Sequence, residues 1–351
     1  MIAEPGASAR FTLGLGAGEL LPGLINAHDH LYLNHYPRLG TPPYDNAYQW
    51  GNDLHARFGG EIRRLAAFPR HDALLFGALK NLLGGVTSVV QHDPWDHDLT
   101  NFPVRVVRVR VAHSLGFERD FTRALAGDDH TRDRPWSMHL AEGIGAEAAE
   151  EVRTAHRRKL LGASFLAVHV VGVDADGIAM LAGSGTAVVW CPTSNRFLFD
   201  RTAPPEMFAA GIDVLLGTDA LLTSDGTMLA ELREARRLGY LDAERLRSAG
   251  GRTAARRLGL PDPSLEPGQP ADLVCLRRPL FDARPADVAL VVVGGLPRLA
   301  DHRFASLFEH CGVPAERLGM KGVDKVVAAP LATIAARVFS LSPECRRVLV
   351  D

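Results

Sequence analysis

The chain has 351 residues, of which 46% are hydrophobic and 23% charged, and its formal net charge is −2. This composition is that of a folded globular protein, and it excludes a disordered chain or a fibrous repeat. The near-zero net charge gives no electrostatic reason to expect a nucleic acid or an anionic membrane as a partner. The length fits one large α/β barrel, a barrel with a small satellite, or two medium domains.

The four cysteines are far apart in the sequence and form no CxxC pair. A disulfide framework or a zinc knuckle is therefore not expected, and reduced thiols in a cytoplasmic protein are the simple interpretation. The first residues lack the basic-then-apolar order of a secretory signal. No apolar run approaches the roughly 18 residues needed to span a bilayer.

The predicted elements begin with a short strand or two in residues 10–22, followed by the apolar run Leu24–Ala27. Residues 34–70 are rich in Pro, Tyr, Asn and Gly and form a long excursion, which in compact domains usually serves a binding site. Helical spacing in Ala73–Leu83 stops at a Gly-Gly pair, and the β-rich run Val86–Val90 follows.

Short apolar strands then alternate with amphipathic helices, which indicates βα units and a parallel sheet, expected as a closed barrel. The further strands are predicted at 104–112, 137–140, 165–171, 187–190 and 214–216. An eight-stranded barrel needs two strands between Val90 and His139, where one long strand fits comfortably. Either Val104–Val107 and Arg110–His113 are separate strands across a tight bend, or the barrel is irregular.

Side chains able to bind a metal lie at or near the ends of four predicted strands. The first strand supplies His28 and His30, and the other three supply His139, His169 and Asp219. In a (β/α)8 barrel the active site is built from these strand ends. Alternate strand residues point to the same side, so the HxH pair directs both imidazoles to one centre. A lone strand histidine is more often a hydrogen-bonded core residue, but core packing explains four such strand ends poorly. Imidazoles with one carboxylate suit a divalent metal such as zinc or ferrous iron.

Seven short motifs follow one another over roughly residues 20–276. They are LPGLINAHDH at 21–30, GVTSVV at 85–90, MHLAEG at 138–143, AVH at 167–169, CPTSN at 191–195, LGTDA at 216–220 and EPGQPADLV at 266–274. Through them the chain resembles the amidohydrolase superfamily, in the deaminase and chlorohydrolase branch that includes cytosine deaminase, guanine deaminase and the triazine hydrolases. The resemblance implies a TIM-like (β/α)8 barrel and a metal-dependent hydrolase.

The resemblance also implies a role for each strand-end residue. The implied metal ligands are His28, His30, His139 and Asp219. Asp219 also takes a proton from the metal-bound water, Glu142 is the proton shuttle of the deaminases, and His169 orients and polarises the substrate or the attacking water. One metal is expected, because binuclear relatives use a carboxylated lysine on the fourth strand and no lysine lies in 104–136. Zinc is the expected ion, with ferrous iron as the alternative.

The chemistry of these residues agrees with that assignment. A divalent metal lowers the pKa of its water from near 16 to about 7. A separate acid must then protonate a ring nitrogen and later the leaving amine, and Glu142 can do both in turn if its pKa lies near the operating pH. The alternative interpretation of Glu142 is a solvent-facing residue at the start of a helix.

Members of this superfamily usually carry a β-sandwich formed by the two chain ends. Because few residues precede the first motif, a small and incomplete sandwich is expected in this chain. The predicted division assigns residues 1–20 and 261–300 to the sandwich, 21–260 to the barrel and 301–351 to a helical extension.

Substrate-contacting candidates follow from their positions near the expected barrel mouth. His92 and Asp93 come after the strand 86–90, His113 follows the next run, and Trp50 lies in the long excursion. Packing within loops is an equally acceptable interpretation of each. Asn195 is expected to tie down a strand-end loop through backbone hydrogen bonds.

The favoured function is hydrolytic deamination of a small nitrogen heterocycle by a metal-activated water. The alternative is hydrolysis of a carbon–chlorine bond, a cyclic amide or another amide by the same hydroxide. A scaffold that has lost its metal is a third alternative, which the complete set of expected ligands disfavours. The expected partner is a small-molecule substrate, with neither nucleic acid nor membrane, and a homo-oligomer is left open.

Overall fold

The computed structural model of the chain describes residues 1–4, 11–118, 121–126 and 131–350. Within the expected N-terminal segment of the sandwich, residues 5–10 lie outside the described residues. So do 119–120 and 127–130 of the expected barrel and residue 351 of the expected extension.

Fourteen strands and fourteen α-helices are found among the described residues. In chain order the strands are β1 (Glu19–Pro22), β2 (Leu24–Asp29), β3 (Val86–Gln91), β4 (Arg105–Val107), β5 (Arg110–Ser114), β6 (Trp136–Leu140), β7 (Phe165–His169), β8 (Ala187–Trp190), β9 (Val214–Leu216), β10 (Leu273–Leu276), β11 (Val288–Val293), β12 (Leu296–Asp301), β13 (Ala315–Met320) and β14 (Val323–Ala328). The helices are α1 (Ala47–Arg57), α2 (Gly59–Ala66), α3 (Arg70–Leu83), α4 (Phe121–Ala126), α5 (Ala146–Arg157), α6 (Ala175–Ser184), α7 (Pro192–Phe199), α8 (Pro205–Ala209), α9 (Met228–Leu238), α10 (Ala243–Ala249), α11 (Arg252–Leu258), α12 (Ala305–His310), α13 (Leu331–Leu341) and α14 (Pro343–Leu349).

The parallel region of the fold consists of two sheets, ordered β2-β3-β4 and β5-β6-β7-β8-β9. The region between Val90 and His139 therefore supplies separate strands β4 and β5, the first of the two alternatives raised by the sequence. The segment after β9 returns to β2 through a parallel bridge between Asp29 and Asp219. The described residues thus have a TIM-barrel-like α/β arrangement. Helices connect β2 to β3 and each successive pair of strands from β5 to β9, whereas β3, β4 and β5 follow one another without an α-helix between them.

Two apolar layers cover the two faces of these strands. One layer is formed by side chains such as Ile25, Ala27, Val90, Val168 and Leu215, which pack against one another. The alternate residues pack outward against the helices in a larger cluster. Strands that are apolar on both faces are typical of parallel sheets covered by helices.

Strand β2 carries an irregularity that matters for the site. Its pairing with β3 shifts register between Asn26 and Asp29. As a result Asn26 and Asp29, three positions apart, lie on the same side and hydrogen-bond to each other at 3.1 Å. An uninterrupted strand would place residues three apart on opposite faces. The irregularity leaves His28 and His30 directed away from that polar pair.

The chain ends form one six-stranded antiparallel sheet, ordered β1-β10-β11-β12-β14-β13. Where the sequence predicts a small, incomplete β-sandwich from the two chain ends, the described residues form this one antiparallel sheet. The segment 301–351, expected to be a helical extension, contains α12, α13 and α14 and also a hairpin formed by β13 and β14. Gly322, with φ of 77°, makes the turn between them. Strand β14 lacks a clear alternation of apolar and polar residues in its sequence, because the buried position 325 is occupied by a lysine. The sequence pattern therefore does not indicate a strand there.

All four cysteines are free thiols in the described structure. None of the described helices is both long and apolar enough to cross a membrane.

Candidate metal centre

The side chains of His28, His30, His139 and Asp219 converge at the carboxyl ends of β2, β6 and β9. The Asp219 Oδ1 atom lies 3.7 Å from Nε2 of His28 and 3.7 Å from Nε2 of His30. Nε2 of His30 lies 3.4 Å from Nε2 of His139. The backbone produces this convergence directly, since Asp219 N–H donates to the carbonyl of His28 at 3.1 Å.

The donor atoms fit a bound divalent cation. A tetrahedral site with ligand bonds of about 2.1 Å separates neighbouring donor atoms by about 3.4 Å, close to the observed spacings. Both ring nitrogens of His28 and Nε2 of His169 are buried without a hydrogen-bond partner among the described residues. Buried polar atoms of this kind call for a ligand that is not protein. Two triads have all donor atoms within 4.8 Å of one another: His28, His139 and His169, and His28, His30 and Asp219.

The carboxylate of Asp93 holds the outer nitrogen of His30. Its oxygens lie 3.1 and 3.2 Å from Nδ1 of His30. Burial lowers the pKa of His30, but the charge and hydrogen bond of Asp93 outweigh it and raise that pKa to about 9. A carboxylate behind a ligating imidazole fixes its tautomer and its orientation. Asp93, a predicted substrate contact, therefore also contacts a predicted metal ligand.

The imidazoles of His28 and His139 are held in their neutral form. Burial lowers the pKa of His28 to about 4, although the Asp219 carboxylate, 3.7 Å away, opposes that shift. Burial and the neighbouring imidazoles lower the pKa of His139 well below its usual value. Nδ1 of His139 is 2.8 Å from the carbonyl of His113, so Nδ1 carries the hydrogen and the Nε2 lone pair is free. Neutral imidazole is the form that binds a metal.

Asp219 is fixed by two hydroxyls. Ser194 and Thr223 each donate to its Oδ2 at 2.7 Å, which leaves Oδ1 directed towards the histidines. Burial opposes ionisation, but the surrounding imidazoles outweigh it and hold the pKa of Asp219 well below its usual range. Its backbone has φ of 53°. A residue other than glycine in this region stores local strain, a feature that concentrates at functional sites.

Glu142 and His169 form a second pair beside the predicted ligands. Oε1 of Glu142 lies 3.6 Å from Nε2 of His169, and the Glu142 side chain is 14% exposed. Burial raises the pKa of Glu142 to about 7, although the charge of His169 opposes that rise. The Asn195 Oδ1 atom lies 2.8 Å from Nδ1 of His169. Because the amide oxygen only accepts, Nδ1 carries the hydrogen and Nε2 faces Glu142.

The long excursion after β2 is attached to the Glu142 segment. Asn46 and Gly143 form an antiparallel bridge, and the Ala47 N–H donates to the carbonyl of Glu142 at 3.0 Å. Glu151 of α5 accepts from the backbone of Ala141 at 2.8 Å and from the hydroxyl of Tyr48 at 2.7 Å. Helices α1 and α5 therefore both hold the position of Glu142.

The remaining predicted contact residues divide into two kinds. His92 is buried, and its ring lies 4.3 Å from that of His139 and 4.6 Å from that of His28. His113 is exposed, and its ring lies 5.1 Å from that of His139. Trp50 donates through Nε1 to the carbonyl of Leu39 at 3.0 Å, which is packing within the excursion. The structure thus places His92 and His113 beside the centre and gives Trp50 a loop contact.

Sequence reasoning missed the residues that hold the others in place. Ser194, from the CPTSN string, binds Asp219. Asn195 of the same string is predicted to hold a strand-end loop through backbone hydrogen bonds, and its side chain instead contacts Nδ1 of His169 and the hydroxyl of Thr202. The signal available was a run of polar residues directly after a buried strand. Glu231 in α9 is fully buried and accepts from the backbone N–H of Thr193 at 2.9 Å, which anchors the start of α7. No local pattern distinguishes this Glu from the surface residues of an amphipathic helix.

The comparison with protein families decides the family. A model described as the amidohydrolase family matches residues 101–297. The chain belongs to the amidohydrolase family. Among curated relatives of this amidohydrolase, a 5-methylthioadenosine/S-adenosylhomocysteine deaminase of Symbiobacterium thermophilum is 34% identical over 163 residues. That alignment covers 38% of this chain and 37% of the relative, so less than half of either protein is compared.

Two solved structures resemble the amidohydrolase over most of its length. A zinc-bound adenosine deaminase from Xanthomonas campestris has a TM-score of 0.63 at 19% identity, over 92% of this chain and 86% of that one. A zinc-bound atrazine chlorohydrolase from Arthrobacter aurescens has a TM-score of 0.63 at 19% identity, over 92% and 88%. At such identities the likeness shows the fold, which is the TIM-barrel-like fold described above.

Proposed function

We propose that this amidohydrolase binds one divalent metal per chain through His28, His30, His139 and Asp219. The donor spacings of 3.4 and 3.7 Å support this set. Zinc is the proposed ion, with ferrous iron as the alternative, because both accept imidazole and carboxylate ligands. His169 is proposed to serve the reaction rather than the metal, since its Nε2 also faces Glu142.

The proposed reaction is hydrolytic deamination of a small amino-substituted nitrogen heterocycle. One observation carries it: a largely buried carboxyl group, Glu142, lies beside the ligand set with a pKa raised to about 7. A group with that pKa can give and take a proton at neutral pH. The matched relative and one structural neighbour, named as deaminases of adenosine-like compounds, support the same substrate class.

A metal held by these residues supplies Lewis acidity that makes water acidic near neutral pH. Asp219 accepts a proton from the attacking water, because its Oδ1 is directed to the centre while Oδ2 is hydrogen-bonded. His169 polarises the reacting carbon or orients the water through Nε2. Glu142 donates its proton to a ring nitrogen as the carbon–oxygen bond forms. It then takes up from Asp219 the proton that the water lost and passes it to the amine, so that ammonia leaves as the carbon–nitrogen bond breaks. The remaining hydroxyl proton returns to Glu142 as the carbonyl of the product forms.

A second candidate is hydrolysis of a carbon–chlorine bond on a similar ring. The structural likeness to the atrazine chlorohydrolase favours it, because that neighbour is compared over 92% of this chain. Chloride leaves without protonation, so this reaction asks less of Glu142. A cyclic or acyclic amide would be a further substrate for the same group of residues, whereas an inactive scaffold would leave the orphaned histidine nitrogens unexplained.

A screen for released ammonia and chloride separates these candidates. Zinc-loaded protein is incubated with amino-substituted purine nucleosides, pyrimidines, pterins and triazines, and with chlorinated triazines. The proposal expects ammonia from at least one amino heterocycle, and none from the same substrate with Glu142→Gln. Chloride without ammonia would establish the second candidate instead.

Several organisational expectations remain proposals alongside the reaction. We propose that the two parallel sheets close into one (β/α)8 barrel within residues 21–260. Residues 1–20 and 261–300 would form the small domain beside it, and 301–351 would be a C-terminal extension. A cytoplasmic location and a small-molecule substrate belong to the same proposal, and a homo-oligomer is left open.

A further inference from the structure

A fully buried group of polar side chains lies behind the predicted ligands, on the α3 side of β2. This group, called the Lys80 cluster, consists of Asn26, Asp29, Lys80, Asn81 and Thr218, each no more than 1% exposed. Lysine and aspartate are almost never fully buried unless they are paired. The cluster therefore has a specific internal arrangement that the surrounding apolar core does not explain.

Asp29 is the centre of the cluster. Its Oδ2 accepts from Lys80 Nζ at 2.9 Å, from Asn81 Nδ2 at 2.7 Å and from Asn26 Nδ2 at 3.1 Å. Its Oδ1 accepts from Asn34 Nδ2 at 2.8 Å. Lys80 also donates to Oγ1 of Thr218 at 2.5 Å. The ammonium group thus contacts two different segments of the chain at once.

Those two segments are the ones that carry the predicted ligands. Asp29 is the residue between His28 and His30, and Thr218 directly precedes Asp219. Two backbone hydrogen bonds join the segments. The Thr218 N–H donates to the carbonyl of His28 at 2.9 Å, and the His30 N–H donates to the carbonyl of Asp219 at 3.4 Å. The described residues show one bridge there and no longer ladder. Lys80 is therefore a side-chain connection across a short backbone junction.

We propose that Lys80 is a positioning residue that holds the His28–His30 segment against the Asp219 segment and so sets the affinity for the metal. A buried ion pair contributes little net stability compared with apolar residues of similar volume. Its distinctive property is a fixed distance between two named atoms. In this chain that distance governs the two 3.7 Å separations from Asp219 Oδ1 to the imidazoles.

The inference rests on the proposed function, since it assumes that the four residues bind a metal. The test compares the parent with Lys80→Met and with the double variant Lys80→Met/Asp29→Asn. The single variant leaves the Asp29 carboxylate buried without its cation, which is strongly destabilising. The double variant removes both charges and so avoids the unpaired buried carboxylate. Neither substitution changes a predicted ligand.

Zinc affinity is measured by competition with a chromophoric chelator, and coordination geometry by the visible spectrum of the cobalt-substituted protein. Changes behind metal ligands typically weaken metal binding by about 10–100-fold, and we expect a loss of that size in the double variant. The cobalt spectrum should change with it. Both readouts are independent of substrate. Thermal unfolding of the metal-free proteins is measured in parallel.

The chain offers a matched control in Lys325. This second fully buried lysine donates to Asp301 Oδ1 at 2.7 Å, within the antiparallel sheet. Lys325→Met/Asp301→Asn should change stability and leave zinc affinity unchanged. Equal losses of affinity in both double variants, or parental affinity in the Lys80 pair, would overturn the inference. Failure of the parent to bind zinc would instead refute the proposed function.

Discussion

Asn195 Oδ1 lies 2.8 Å from Nδ1 of His169, and this contact fixes the orientation of a buried imidazole. Nδ1 donates to the amide oxygen, so Nε2 faces Glu142 at 3.6 Å. Changing His169 to Ala should lower turnover by about 10²–10⁴-fold, the range for an acid–base or polarising group. Metal content, measured by elemental analysis, should stay near the parental value. Loss of metal together with activity would show that His169 is a ligand.

Glu142 and Asp219 are both acids, but their surroundings assign them different tasks. Changing Glu142 to Gln preserves size and hydrogen bonding and removes the ability to carry a proton, so turnover should collapse while metal content is retained. Asp219→Ala serves as the comparison, and there both metal occupancy and turnover should fall. A metal-replete Glu142→Gln protein with near-parental turnover would exclude proton transfer through this residue. Hydrolysis of a substrate with a better leaving group would then be preferred.

Metal stoichiometry follows from the ligand set. One transition-metal ion per chain is expected in purified protein, since the two triads of donor atoms share His28. Elemental analysis against protein concentration measures it directly. Two ions per chain, found reproducibly, would contradict the expectation, as would full activity in metal-free protein.

Asp93 is expected to affect metal binding, which a residue that contacts only the substrate would not do. Asp93→Ala removes the acceptor behind Nδ1 of His30. Zinc affinity should fall by about 10–100-fold, as for other partners of metal-bound histidines. Asp93→Asn is the conservative variant and should lose less, because its amide oxygen still accepts from Nδ1. A raised KM with unchanged zinc affinity would show that Asp93 contacts the substrate and does not support metal binding.

The burial of Glu231 is expected to make the free energy of unfolding depend on pH. Burial raises its pKa to about 8, despite the two hydrogen bonds from Thr193. Between the unfolded value of about 4.5 and 8, the folded state therefore holds a proton that the unfolded state has lost. The stability contributed by Glu231 is complete below this window and decreases as pH rises through it.

Glu231→Gln mimics the protonated form and does not titrate. The free energy of unfolding of this variant relative to the parent should rise between pH 6 and pH 8.5, as measured by denaturant titration. Glu234→Gln, on the same helix, is the control. Arg237 lowers the pKa of Glu234, so its contribution is constant over that range. If the difference in free energy of unfolding between variant and parent does not change with pH for either variant, Glu231 is ionised in the folded protein.

The strand ends were predictable because side-chain direction follows from local periodicity. His28, His30, His139 and Asp219 converge as expected, although the register shift in β2 could not be anticipated from the sequence. The separate strands β4 and β5 were one of two alternatives, since chain length alone does not show where a strand bends. The hairpin β13–β14 was missed because burial of Lys325 interrupts the apolar alternation.

Residues that act through distant partners were beyond local reasoning. Lys80 lies in a helical pattern of the kind that usually turns its charges to solvent, yet its contacts are with Asp29 and Thr218. Asp93 was placed near the barrel mouth by its position after β3, and its actual partner is His30. In each case the sequence gives the residue's approximate location, whereas the partner depends on how separate strands meet.

The junction between the β2 segment and the Asp219 segment also bears on the stability of the folded chain. Its hydrogen-bonded residues Asn26 and Thr218 are 192 positions apart. Joining positions so distant costs chain entropy on folding. An ion held by residues on both sides of this junction would bind the folded chain and not the unfolded one, and so would offset part of that cost. The concentration of free metal would therefore help to set the fraction of chains that are folded as well as the fraction that are active.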